Sequence, residues 1–62
     1  MTMTTNKDDI KAARAKANIT QKQAAETVYA TSRAWQRWES GEREMSPADW
    51  ELFLLKTNQH PT

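Results

Sequence analysis

Side chains that start helices recur along this chain at short intervals, at Thr5 or Asn6, then Thr20, Thr31 and Ser46. Their oxygens can accept from the free N–H groups of a first helical turn. No interval between them holds more than about four turns of helix. The chain is therefore predicted to fold as a set of short helices. Gly41 is the only glycine, β-branched runs are absent, and no strand-like alternation persists. With 62 residues the chain is read as one domain, whose core must pack efficiently or be helped by a partner chain. It has no cysteine, which excludes disulfides and thiolate metal sites.

The first helix begins near Asn6 or Lys7, with Asp8 and Asp9 suited to the positive end of its dipole. Ile10, Ala13, Arg14 and Ala17 recur at helical spacing and form its inner face. Asn18 is a plausible left-handed stop. Thr20 with Gln23 makes a capping-box pattern, and Ile19 before it suits a hydrophobic staple. The second helix then runs from Gln21 to about Val28, with Ala24, Ala25 and Val28 facing inward. Tyr29 and Ala30 make a short turn. Thr31 caps a third helix to about Glu39 or Ser40, and Gly41 stops it. Trp35 and Trp38 lie three apart on one face and are first of all core residues. Ser46-Pro47-Ala48-Asp49 is the clearest helix start in the chain. Trp50, Phe53 and Leu54 form the inner stripe of that last helix. Leu52 and Leu55 widen the apolar surface. The chain is expected to fray after about Thr57, with Pro61 blocking continuation. The fold class is thus all-α, with four helices and a fifth as the alternative, ordered over about residues 6–57.

Several function classes fall away. No apolar run approaches the length that spans a bilayer, so no membrane partner is expected. Met1-Thr2-Met3-Thr4-Thr5 lacks the regions of a secretory signal, and the expected location is cytoplasmic. His60, beside Pro61, reads as a solvated tail residue. No paired carboxylates, nucleophile–base set or phosphate loop is present, so no enzyme activity, cofactor, metal or small-molecule ligand is expected. The formal net charge of +1 says little by itself; where the charges fall decides more.

The pair of short helices at 20–28 and 31–40 has the spacing of a helix-turn-helix, in which the second helix enters the major groove. If Trp35 and Trp38 face the core, Thr31, Ser32, Arg33, Gln36 and Arg37 face outward. Arginine can make two hydrogen bonds to guanine and glutamine two to adenine. No acidic residue lies between Thr31 and Trp38. These five are the candidate base-reading residues on double-stranded DNA.

The segment from Ile19 to Gly41 resembles the lambda-repressor-like family, also called the Cro or XRE family. The resemblance rests on Thr20-Gln21 opening the second helix, Ala25 in its middle, and Trp38-Glu39-Ser40-Gly41 at the end of the third. It extends over about residues 7 to 56. It implies a helix-turn-helix repressor, reading a pseudo-palindromic operator as a homodimer. It also implies that Arg14 pairs with Glu39 to tie the first helix to the third, and that Gln21 touches a DNA phosphate. Lys22 beside it could do the same. Arg43 could reach a flanking phosphate, against the opposition of Glu42 and Glu44, and Lys7 and Lys11 are weaker candidates. Small phage repressors share this pattern. The run from Ser32 to Gly41 also looks like regulators associated with anti-CRISPR genes, which repress their own operons.

The chain departs from the family in three ways. Tyr29 stands where many relatives have glycine, so the turn is expected to be opened or reshaped. Trp35 is bulkier than the usual aliphatic residue, and Ala24 and Ala25 are expected to make room for it. The family's fifth helix is missing, which leaves the apolar side of the fourth in need of cover. Leu52, Phe53 and Leu55 are therefore the candidate dimer patch. Two rival readings stay open, an antitoxin that binds DNA and a toxin, and a protein-interaction module on the same fold.

Overall fold

The structure, a computed structural model, describes residues 6–59. It is all-α, with α1 Lys7–Ala17, α2 Gln21–Thr27, α3 Ser32–Ser40 and α4 Pro47–Lys56. No fifth helix occurs among the described residues. Thr5, His60 and Pro61 lie outside them.

Each helix begins at a side chain that accepts from its first turn. Asn6 Oδ1 accepts from Asp9 N at 2.8 Å, Thr31 Oγ1 from Ala34 N at 3.1 Å, and Ser46 Oγ from Asp49 N at 3.1 Å. At α2 the capping box is complete: Gln23 N donates to Thr20 Oγ1, and Thr20 N donates to Gln23 Oε1.

The helix ends use left-handed residues. Asn18 (φ 59°) closes α1 and Gly41 (φ 84°) closes α3. At the end of α2, Tyr29 takes the same conformation with φ 59°. Tyr29 N donates to Glu26 O and Ala30 N to Ala25 O, which is the hydrogen-bond pattern of a Schellman motif. The turn is therefore not opened. Two backbone hydrogen bonds hold tyrosine in a position that favours glycine. The helix stops at Thr27, one residue short of the expected end. Lys56 Nζ donates to Tyr29 Oη at 2.8 Å, and this hydrogen bond, then the ammonium charge, lowers the phenol's pKa.

The same motif ends α4. Asn58 (φ 62°) is left-handed, Asn58 N donates to Leu55 O, and Gln59 N donates to Leu54 O at 2.7 Å. Gln59 Nε2 then donates to Ala13 O of α1 at 3.0 Å. The chain does not fray at Thr57 but folds back over the first helix.

The core comprises Ile10, Ala13, Ala24, Ala25, Val28, Trp35, Trp38, Met45 and Phe53. Trp35 is fully buried, with its ring 4.9 Å from Phe53 and edge-on to Trp38 at 5.5 Å. Ala24 and Ala25 are buried as well, and α2 packs chiefly against α3, so small side chains on one helix accommodate the large ring on the next. Two assignments change. Phe53 is fully buried, stacked with Trp50 and tilted against Trp35, so it cannot belong to a dimer patch. Leu52 packs partly against the core, and only Leu55 of the three proposed patch residues is well exposed. Ala17 is half-buried, as are Trp50 and Leu54. Met45, absent from the sequence-based core, is buried just ahead of the Ser46 cap.

Candidate nucleic-acid interface

The orientation of α3 is fixed from below by one carboxylate. Glu39 is buried, and its two oxygens accept from four donors. Arg14 Nε and Trp35 Nε1 each reach Oε2 at 2.5 Å. Arg14 Nη2 reaches Oε1 at 3.2 Å and Gln21 Nε2 reaches it at 3.0 Å. Arg14 Nη1 also donates to Ile19 O at 3.1 Å, just ahead of α2. Burial alone would push the Glu39 carboxyl up. The hydrogen bonds from Arg14, Gln21 and Trp35, with the guanidinium charge, outweigh burial and hold it below the ordinary glutamate value. One side chain thus ties α1, α2 and α3 together.

With Trp35, Trp38 and Glu39 buried, the opposite side of α3 must face solvent. Arg33, Gln36 and Arg37 are exposed, and with Ser40 they follow the i, i+3, i+4 spacing of a single helix face. The side chains of Arg33, Gln36 and Arg37 make no hydrogen bond or ion pair among the described residues. Together with Ser40 and Glu42 they line an open depression of about 430 Å³. The arginine and glutamine side chains of this face offer many donors, none of them engaged by the described residues, while the Ser40 hydroxyl donates to Arg37 O.

The other candidates are placed less simply. Thr31 is exposed, but its Oγ1 is engaged as the cap of α3, which leaves only its O–H to donate outward. Ser32 is half-buried. Lys22 and Arg43 are exposed and lie outside the depression. Gln21 is half-buried, and one of its amide N–H groups is committed to Glu39, so its first task is holding α2 to α3. Ser40 and Glu42 were missed as members of this surface. Glu42 follows the left-handed Gly41, beyond the reach of helical periodicity, so no spacing rule places it.

No family model matches the chain. A stretch of 47 residues is 49% identical to part of the type II methyltransferase M.MspI of Moraxella sp. The stretch takes in 76% of this chain and 11% of that protein, so the chain spans a small fraction of the relative's length. No helix among the described residues is long and apolar enough to cross a membrane.

Proposed function

We propose that this chain is a sequence-specific DNA-binding module that represses transcription by laying α3 in the major groove of an operator. The observation that carries the reading is the division of α3. Its inner side is locked by Trp35, Trp38 and Glu39, while Arg33, Gln36 and Arg37 stand exposed and unengaged on its outer side. Base readout requires donor groups held on a rigid element and free of internal partners. The lambda-repressor-like resemblance supports the same reading. Lys22 and Arg43 would contact phosphates to either side, and two copies would occupy a pseudo-palindrome.

The test is selection of bound fragments from random duplex DNA, followed by titration of the enriched duplex with Arg37→Ala at fixed salt. An enriched inverted repeat, with about 1–3 kcal/mol lost on substitution and relaxed preference at one base pair, is the expected result. Equal binding by the variant, or no enrichment at moderate salt, would move the protein-interaction reading to first place.

The partial identity to a methyltransferase favours a second reading, in which the same four-helix unit serves as an attached module of such an enzyme. Under that reading the unit supplies binding and orientation, and the transfer chemistry resides elsewhere. Fusing the chain to a methyltransferase that lacks such a segment, and comparing methylation rates on duplexes with and without the selected sequence, separates the two readings.

A further inference from the structure

The depression under α3 holds one residue of the wrong sign for a surface that only collects phosphates. Glu42 lines it together with Arg33, Gln36, Arg37 and Ser40. The backbone on either side of Glu42 is tied down. Glu42 N donates to Ser40 Oγ at 3.3 Å, Arg43 N donates to Arg37 O at 3.2 Å, and Ser40 Oγ donates to the same Arg37 carbonyl at 3.0 Å. The loop is thereby fastened to the carbonyl of an arginine in the depression. The Glu42 carboxylate itself has no hydrogen-bond or ion-pair partner among the described residues. Arg33 and Arg37 line the same space, yet neither pairs with it within 4.0 Å.

An acceptor carried on a tied-down loop beside unengaged donors has a matching ligand among the base pairs. The major-groove edge of G·C presents two acceptors, guanine N7 and O6, beside one donor, the cytosine N4 amino group. The edge of A·T alternates acceptor, donor and acceptor and ends in a methyl group. A phosphate presents only acceptors, and a carboxylate repels it. We propose that this depression reads a G·C pair, with Arg37 donating to guanine and Glu42 accepting from cytosine N4, so that Glu42 is a specificity-determining residue. The proposal rests on the groove-reading role of α3 and names the base pair that this part of the helix takes.

The experiment uses the full chain and the duplex that selection enriches. Binding is compared for the native protein, Glu42→Ala and Arg37→Ala on three duplexes: the enriched one, one with the G·C pair changed to A·T, and one whose cytosine is replaced by 2-pyrimidinone, which lacks the N4 amino group. The Glu42 side chain is exposed and makes no hydrogen bond or ion pair among the described residues, so Glu42→Ala should melt like the native protein. The native protein should lose about tenfold in affinity on the 2-pyrimidinone duplex. Glu42→Ala should bind the enriched duplex about tenfold more weakly and lose nothing further on the analogue. The proposal is overturned if Glu42→Ala binds every duplex more tightly by one common factor, with preference unchanged. That result would make Glu42 a brake on phosphate attraction and leave groove reading intact. If no duplex is enriched and Arg37→Ala is neutral, the groove-reading role falls and the proposal falls with it.

Discussion

At the scale of single residues, the fold turns on the Glu39 carboxylate. Replacing it with alanine leaves the Trp35 N–H buried without an acceptor and the Arg14 guanidinium without its counter-charge. Arg14 keeps about a quarter of its side chain in water, which softens the loss. Glu39→Ala should still destabilise the domain by about 3 kcal/mol. For a chain this short that lowers the thermal midpoint by more than about 10 °C, as circular dichroism would read it. A shift of only a degree or two would show that the four-donor arrangement contributes little. The pH dependence follows from the same site. The folded carboxyl is held below its unfolded value, so the unfolded chain takes up the proton first as pH falls. The stabilisation is complete above the unfolded glutamate pKa, about 4.3, and is lost as pH drops through the lower folded value. Glu39→Gln should flatten the fall in stability in that acid window. The Arg14–Glu39 pairing was legible only through the family resemblance. The Trp35 N–H stands four residues before Glu39 on the same helix, but the bulk of tryptophan marks it first as a core residue and its single donor is easily overlooked. The resemblance directs Gln21 to a DNA phosphate; in the structure its amide nitrogen donates to Glu39, inside the protein.

Whole elements were more legible where they begin than where they end. Asn6, Thr20, Thr31 and Ser46 all cap as their side chains dictate, since an N-cap needs only one oxygen within reach of a free N–H. Ser46→Ala should cost about 1 kcal/mol, read in the same melts, and a neutral result would mean that Pro47 and the buried Met45 fix the start of α4 unaided. Helix ends depend on backbone hydrogen bonds that side-chain type reports poorly. Tyr29 is the case in point. The paired bonds to Glu26 O and Ala25 O hold it left-handed in spite of its Cβ, a penalty of about 1–2 kcal/mol for an L-residue. Tyr29→Gly relieves that strain, loses the Lys56 contact and frees the unfolded chain, so its net effect should lie near zero. Tyr29→Val adds a β-branch where a left-handed backbone crowds it most and should destabilise by about 1–3 kcal/mol. Glycine and tyrosine melting close together, with valine below both, is the outcome to look for. Valine matching tyrosine would rule out the left-handed turn.

For the molecule as a whole, the question left by the core is how two copies meet. Helical spacing showed that α4 carried more apolar surface than one face needs, but it could not say which face α3 would cover. Trp35 settled that by drawing Phe53 inward, and the exposed large apolar side chains that remain among the described residues are Leu55 and Tyr29. Two such residues fall well short of the roughly 800 Å² per partner of a stable interface. The free protein should therefore sediment as a monomer at micromolar concentration. The described chain measures 29 × 23 × 18 Å, so copies seated on half-sites about 34 Å apart lie close enough to touch. A weak contact becomes effective once DNA holds both partners, because the second association is then nearly intramolecular. Binding to a duplex with two half-sites should accordingly be cooperative. Inserting about half a helical turn between them should abolish the cooperativity, since it carries the second copy to the opposite side of the duplex. Leu55→Glu should have the same effect on the paired site and leave affinity for an isolated half-site unchanged. If Leu55→Glu weakens both sites alike, the exposed end of α4 acts through the fold and not through a partner. If it weakens neither, the copies meet elsewhere or bind independently, and the operator is read one half at a time.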